Sequence, residues 1–203
     1  MSVIYLASRS PRRRELLAQI GVRFEPLLFR DGARKDPDTD ESAQAGEMPD
    51  DYVMRVTRQK ARAAWERVIL RRGIRRMPVL AADTTVALTS EIFGKPADRD
   101  DAVRMLKALS GTQHRVLTAV GVCLDERLEL ALNVSLVTFA PVSEERLRAY
   151  VESGEPFDKA GAYAIQGRAG AFVERIEGSY SGVMGLPLFE TASLLRQFGI
   201  VVP

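Results

Sequence analysis

A short apolar run, residues 3–7, ends in a group of hydroxyl and guanidinium side chains. The group consists of Ser8, Ser10, Arg12 and Arg13. Ser10 and Pro11 are of types that commonly begin a helix, and a helix start offers free N–H groups and a positive dipole end to an anion. Because guanidinium groups bind phosphate oxygens in pairs, the pattern favours a polyphosphate ligand. A capped surface helix with additional arginines would have the same pattern.

One carboxylate, Asp83, interrupts an otherwise apolar strand over residues 78–88. A buried carboxylate is unfavourable unless it is paired or bound to a metal, so we interpret Asp83 as a functional residue. An aspartate satisfied by backbone donors is the alternative. Farther along the chain, the turn Gly94-Lys95-Pro96 presents a single lysine.

Lysine is rare in this chain, at five of the 29 basic residues. A protein that otherwise uses arginine can retain lysine where a compact point charge is required. Lys60, Lys95 and Lys159 are therefore candidates for a functional point charge, although retention by chance would also explain them.

Two loops have compositions that suit a ligand. Residues 36–42 are rich in carboxylates, which suit Mg²⁺ better than zinc, but a solvated acidic loop is equally consistent. Residues 158–167 combine small side chains, which permit close backbone approach, with the amide of Gln166. A glycine-rich turn that serves only packing is the alternative there.

The composition restricts the class of protein. The chain has 203 residues, 46% hydrophobic and 28% charged, which fits one globular domain. Its longest apolar run, residues 116–124, is far shorter than the ~20 residues of a membrane helix. The arginines near the N-terminus argue against a signal peptide, and one cysteine, Cys123, excludes an intramolecular disulfide. We expect a cytoplasmic protein with no membrane contact.

Residues 55–76 contain nine basic side chains and the single acid Glu66. Such a stripe is typical either of a nucleic-acid-binding surface or of a solvated helix face. The sequence contains no Gly-x-Ser-x-Gly, Walker A or Gly-x-Gly-x-x-Gly motif. The main sequence evidence for a serine hydrolase, a P-loop protein or a Rossmann protein is therefore missing. We assign a structural role to the only histidine, His114.

Apolar patterns and turn residues predict alternating strands and helices. We expect strands at residues 3–7, 22–29, 78–88, 115–124 and 128–140, the last two forming a hairpin. We expect helices from Pro11 to Ile20, over residues 51–72 with Ile69 near the buried face, at 98–109 and 144–152, and after Pro187. The result is an α/β fold with a mixed sheet covered by helices.

Several motifs, in order from about residue 3 to residue 195, together resemble the Maf family. They are residues 6–17 (LASRSPRRRELL), Ala82-Asp83-Thr84, Gly94-Lys95-Pro96, residues 110–120, residues 158–167 (DKAGAYAIQG), and residues 178–188. The resemblance implies a single domain over residues 1–203, with an elongated mixed sheet similar to that of inosine triphosphate pyrophosphatases and two lobes around a cleft. It also implies a cytoplasmic, often dimeric, metal-dependent nucleoside triphosphate pyrophosphatase.

The resemblance also implies residue roles. Ser8, Arg12 and Arg13 would hold the triphosphate, Asp83 would be the general base, and Lys60 and Lys95 would neutralise phosphate charge. Glu41 and Asp83 would hold Mg²⁺ or Mn²⁺. Arg12, Thr84 and Gln166 match the group of the family that prefers dTTP and UTP over 7-methyl-GTP. The expected partners are a nucleoside triphosphate and a second copy in a homodimer, with no stable nucleic-acid complex.

Two alternatives remain open from the sequence. One is the sister group of the family that hydrolyses 7-methyl-GTP. The other is a nucleic-acid-binding or division-regulating protein that uses the stripe at residues 55–76 and performs no chemistry, although that reading gives Asp83 no purpose.

Overall fold

The computed structural model describes residues 3–27, 40–71 and 73–202. The strands of this part are β1 (Val3–Leu6), β2 (Arg23–Pro26), β3 (Val79–Leu88), β4 (Glu91–Phe93), β5 (Gln113–Leu124), β6 (Arg127–Phe139) and β7 (Val173–Glu177). Its α-helices are α1 (Pro11–Gln19), α2 (Pro49–Leu70), α3 (Arg99–Leu109), α4 (Glu144–Glu152), α5 (Tyr180–Met184) and α6 (Leu188–Gln197). Short 3₁₀ turns occupy much of residues 155–172.

The strands form one mixed sheet in the order β2-β1-β3-β5-β6-β7, and β4 pairs with β3. Strand β1 is parallel to both β2 and β3, and the remaining pairs are antiparallel. Helices pack against this sheet, so the predicted α/β fold with a mixed sheet is confirmed. The predicted hairpin is also confirmed, since β5 and β6 pair from Gln113↔Thr138 to Leu124↔Arg127.

Strand β3 has an open edge near its middle. Strand β1 pairs with it only at Tyr5↔Val79 and Leu6↔Leu80, whereas β4 pairs with it only from Val86 onward. Between these two contacts, residues 82–85 have a strand partner in the described chain only on the β5 side. A gap of this kind, where neighbouring strands part, is where open α/β sheets commonly bind ligands.

The two faces of β3 at this edge meet different helices. Side chains alternate along a strand, so Asp83 and Thr84 lie on opposite faces. Asp83 lies on the face that α2 covers, where Lys60 contacts it. Thr84 lies on the other face, where Arg13 of α1 donates to its hydroxyl.

On the Thr84 face, a polar position separates two apolar clusters. One cluster joins β1, α1 and α6 around Leu80 and Ala82, and the other joins α3 and α4 around Val86. Thr84 lies between them, with the hydroxyl of Thr118 on β5 beside it. One continuous sheet therefore underlies both clusters, and the polar groups meet at the open edge.

Helix α2 is long because its buried residues recur every three or four positions. They are Pro49, Tyr52, Val53, Val56, Thr57, Ala61, Ala64, Trp65 and Val68. Lys60 lies at the margin of this face, and its side chain is only 15% exposed. The expectation for Ile69 was wrong, because this residue near the C-terminal end is 49% exposed.

Several short elements differ from the sequence expectations. Strand β2 ends at Pro26, and residues 28 and 29 of the expected strand lie outside the described residues. Strands β4 and β7 and the five-residue helix α5 were not predicted. Ser10 precedes α1 as expected, but its side chain makes no capping hydrogen bond. The hydroxyl of Ser8 instead accepts from the Ser10 N–H at 3.2 Å.

Candidate active site

A lysine held between two carboxylates lies at the open edge of β3. Lys60 Nζ is 2.7 Å from Asp83 Oδ1 and 2.6 Å from Glu41 Oε1. The Asp83 side chain is 15% exposed and the Glu41 side chain 29% exposed, so the group is largely enclosed but reachable from solvent. The structure therefore brings together three predicted site residues from three separate parts of the chain.

The charges of the carboxylates determine the protonation of Lys60. Burial alone would lower the pKa of the Lys60 ammonium, but the charges of Asp83 and Glu41 and their hydrogen bonds outweigh it and raise the pKa. Lys60 is therefore positively charged throughout the physiological range. It provides a fixed cation beside the candidate base.

Arg13 of α1 ties the start of that helix to β3 and to the segment after α5. Its Nη1 donates to Ala82 O at 2.7 Å and to Ser8 Oγ at 3.3 Å, and its Nε donates to Gly185 O at 2.7 Å. Its Nη2 donates to Thr84 Oγ1 at 3.2 Å. A guanidinium has five N–H groups, so these four bonds leave one for a further acceptor. Burial lowers the pKa of Arg13 by more than the charge of Asp83 raises it.

Thr118, to which we assigned no role from the sequence, joins this network. Its hydroxyl donates to Gly182 O at 2.8 Å and lies 3.0 Å from Thr84 Oγ1. Thr118 is fully buried on β5 directly opposite Thr84. Two sequence signals could have indicated it, namely a hydroxyl inside an apolar strand and its place in the motif at residues 110–120.

The glycine-rich segment approaches β3 closely, as the small residues predict. Gly161 has a φ of +68°, and a Cβ at this position would lie 2.8 Å from a methyl of Val86. Its N–H donates to Gly94 O at 3.0 Å, which joins this segment to the turn that carries Lys95. Lys95 and Gln166 are both exposed, one in each of these joined turns.

The remaining predicted residues lie around the start of α1. Ser8 is buried, with its hydroxyl on Arg13 and on the Ser10 amide. Arg12 is partly buried, and its charge acts on Asp158. Burial would raise the pKa of the Asp158 carboxyl, but the hydrogen bond and charge of Lys159, together with the charge of Arg12, outweigh burial and lower the pKa. The phosphate and base-binding roles of Ser8, Arg12, Arg13, Thr84, Lys95 and Gln166 stay predictions.

The carboxylate pair fits part of a site for a hard divalent cation. Asp83 Oδ1 and Glu41 Oε1 both contact Lys60 Nζ, so the two carboxylates lie close enough together to contribute to one site beside the ammonium. Mg²⁺ commonly takes one or two protein carboxylates and completes its shell with water and substrate phosphates. Among the described residues, no cluster of three or more His, Cys, Asp or Glu could hold a metal. Residues 36–39 of the acidic loop lie outside the described residues.

Other candidates have contacts away from this edge. His114 is buried, and its Nε2 lies 2.9 Å from the hydroxyl of Tyr163, in agreement with the structural role that we assigned. Lys159 donates to Glu155 O at 2.7 Å and contacts Asp158, both in its own turn. Part of the basic stripe is used internally, since Lys60 binds the carboxylates and Arg62 donates to carbonyls of the β5–β6 turn.

A carboxylate, a fixed lysine and an arginine-rich helix start are the groups that phosphoryl chemistry requires. The chain belongs to the Maf family, since the Maf-like protein family matches residues 3–198. It is 57% identical to the dTTP/UTP pyrophosphatase of Cupriavidus metallidurans over 199 residues, 98% of each chain. It is 59% identical to that of Cupriavidus pinatubonensis over 96% of each chain, and 53% identical to that of Nitrosomonas europaea over 98% of this chain and 96% of the relative. The predicted family is therefore confirmed.

No helix of the described residues combines the length and apolarity that crossing a membrane requires.

Proposed function

We propose that this protein hydrolyses dTTP and UTP between the α and β phosphates, releasing the nucleoside monophosphate and pyrophosphate. The observation that carries the proposal is the ion pair between Asp83 and Lys60 at the open edge of β3, in which Asp83 Oδ1 lies 2.7 Å from Lys60 Nζ. The names and full-length identity of the relatives support the same activity.

Cys123, the only cysteine, is free and buried, which supports a reducing, cytoplasmic location.

Asp83 is the group that we assign to proton transfer. Its Oδ1 accepts the hydrogen bond from Lys60, so Oδ2 is the oxygen that takes the proton of the attacking water. The water oxygen bonds to the α-phosphorus, and the bond from that phosphorus to the bridging oxygen breaks. The bridging oxygen leaves with pyrophosphate.

Positive charge must surround the phosphates as negative charge develops in the transition state. Lys60 supplies a fixed charge next to Asp83, and Arg13 supplies a second positive charge on the opposite face of β3. Arg12 and Lys95 add charge from the helix start and from the exposed turn. A bound Mg²⁺ or Mn²⁺, held by Asp83 and Glu41 and by phosphate oxygens, would neutralise the leaving pyrophosphate.

We assign base selection to Gln166. Its exposed side chain lies in the turn that Gly161 anchors to β3. A glutamine amide can accept from N3–H and donate to O4 of thymine or uracil. A site that hydrogen-bonds an edge rejects bases that lack it, because its own polar groups are left unpaired.

A nucleotide panel tests this function. We expect release of pyrophosphate, with Mg²⁺ or Mn²⁺ present, to be fastest for dTTP and UTP and slower for CTP, dGTP and 7-methyl-GTP. Orthophosphate as the first product would contradict the bond assignment. Equal kcat/KM for 7-methyl-GTP and dTTP would contradict the proposed base preference.

A further inference from the structure

The segment that carries Glu41 is attached to α2 through its main chain. Three consecutive carbonyls accept hydrogen bonds from two side chains of that helix. Arg55 Nη1 donates to Asp40 O at 3.0 Å, Tyr52 OH donates to Glu41 O at 2.9 Å, and Arg55 Nη2 donates to Ser42 O at 2.9 Å. Lys60, from the same helix, then binds the Glu41 side chain.

Arg55 has no donor left for a substrate. Its Nε and Nη2 donate to the two carboxylate oxygens of Glu47 at 2.6 and 2.8 Å, and its Nη1 also reaches Gln59 Oε1 at 3.4 Å. With the two carbonyl bonds, these contacts use all five N–H groups of the guanidinium. The Arg55 side chain is 18% exposed and that of Glu47 only 9%, so solvent weakens this pair little.

Glu47 connects its own loop to helix α2. Its Oε2 also accepts from Gln44 N at 3.0 Å, so the carboxylate binds both its own loop and α2. The hydrogen bonds from Arg55 and Gln44 lower the pKa of Glu47 to about 2, against the opposing effect of burial. Glu47 therefore keeps its charge at every pH at which the enzyme would be assayed.

We propose that Arg55, assisted by Tyr52, is a positioning residue that places the Glu41 carboxylate beside Lys60 and Asp83. The proposal rests on the proposed function, because Glu41 matters only if this edge of β3 is the catalytic site. Arg55 acts through the carbonyls on both sides of Glu41 and does not touch the nucleotide. This positioning role needs the planar five-donor geometry of the arginine side chain, which lysine lacks.

Substitution of Arg55 by lysine tests the proposal, with Arg58→Lys as the matched control. Arg58 lies on the same helix and is exposed. We expect Arg55→Lys to lower kcat for dTTP by roughly 10-fold to 100-fold, the range for loss of a residue that orients a site ligand, with KM within about 3-fold. Arg58→Lys should retain the wild-type kcat within about 2-fold. A rise in KM at unchanged kcat would mean that Arg55 binds substrate, and would overturn the proposal.

A double-mutant cycle with Glu41→Gln separates positioning from general structure. If Arg55 acts through Glu41, Arg55→Lys should lower kcat by less than about 2-fold in the Glu41→Gln background. The same factor in both backgrounds would overturn the proposal. Tyr52→Phe keeps the buried ring and removes only the hydroxyl, so it provides a second variant with the same expected coupling.

Hydrogen exchange supplies a measurement that does not depend on activity. We expect the amides of Ser42, Gln44 and Glu47 to exchange at least ~10-fold faster in Arg55→Lys, with the amides inside α2 unchanged. Unchanged exchange at these amides would overturn the proposal. If the wild-type protein released no pyrophosphate, the proposed function would fail, while the exchange result would still decide whether Arg55 holds the loop.

Discussion

Asp83 is the residue to which the proposed mechanism assigns proton transfer. We expect Asp83→Asn to lower kcat by on the order of 10² to 10⁴, because an amide cannot accept the proton of the attacking water. The amide keeps the size of the carboxylate, so nucleotide binding should largely survive. Pyrophosphate release measures the first effect, and binding of a non-hydrolysable dTTP analogue measures the second. Near-normal turnover would remove Asp83 from the mechanism.

Gln166 tests the selection of the base separately from hydrolysis. We expect Gln166→Ala to reduce the preference for dTTP over CTP by roughly 5-fold to 150-fold, the effect of one to three kcal/mol per unsatisfied group. Competition between the two nucleotides in one assay measures the ratio of kcat/KM directly. An equal loss on every nucleotide would instead place Gln166 in the phosphate site or in the framework of its turn.

At the scale of elements, the start of α3 has a well-defined cap. Asp98 accepts from Asp101 N at 2.8 Å, and its carbonyl accepts from Ala102 N at 3.1 Å. We expect Asp98→Ala to lower the free energy of unfolding by about 1 kcal/mol and Tm by about 2 to 4 °C. Activity at 25 °C should be unchanged, since α3 does not contribute a site residue. A larger loss of activity than of stability would contradict this.

The elements with strong local signals could be predicted from the sequence. Helix α4 has the predicted bounds, and Ser143 caps it; α3 begins after Asp98 as expected. Strand β7 and helix α5 were missed because each has five residues, too few for a period to be recognised within a glycine-rich segment. Ser10 was predicted to cap α1 from its residue type, but its side chain makes no capping bond, and its N–H donates to Ser8 Oγ, a contact that depends on the geometry of the loop.

The site was predictable in its residue types but not in its contacts. Asp83 was conspicuous as a charge in an apolar strand, and Lys60 as a lysine among arginines. That the two meet depends on how α2 packs across β3, which local patterns do not specify. Arg55 lies in the basic stripe at residues 55–76. The sequence alone does not distinguish an arginine whose five N–H groups bond inside the protein from an arginine that is solvated.

At the scale of the whole molecule, His114 makes stability depend on pH. Burial lowers the pKa of His114 to about 4, from about 6.5 in an unfolded chain. Between these values the unfolded chain takes up a proton that the folded protein does not, so stability is complete above pH 6.5 and falls toward pH 4. The loss is on the order of 3 kcal/mol.

Urea unfolding at several pH values from 7 to 4 measures this effect. His114→Asn should show a shallower loss of stability over that range than the wild type, because the titrating group is absent. Its kcat should keep the wild-type pH profile, since the ring lies in the core against Tyr163. An equal slope in both proteins, or a lost limb of the kcat profile near neutrality, would contradict the assignment.

Removal of divalent cations should separate activity from folding. We expect EDTA to abolish pyrophosphate release while changing Tm by less than about 2 °C, which corresponds to less than about 1 kcal/mol. Differential scanning fluorimetry and the activity assay on the same sample measure both quantities. Full activity in EDTA would contradict the metal assignment, and a large fall in Tm would show that the fold itself requires the ion.

The reason for this expectation is the ammonium of Lys60, which lies between Asp83 and Glu41 at 2.7 and 2.6 Å. Two enclosed carboxylates would otherwise repel each other until an external ion arrived. Because the chain carries its own counter-ion, a newly synthesised molecule can complete its fold before it meets any metal. A divalent cation that binds together with the nucleotide, as we propose, would then be needed for activity and not for folding, so the supply of folded protein would not depend on the cell's supply of the ion.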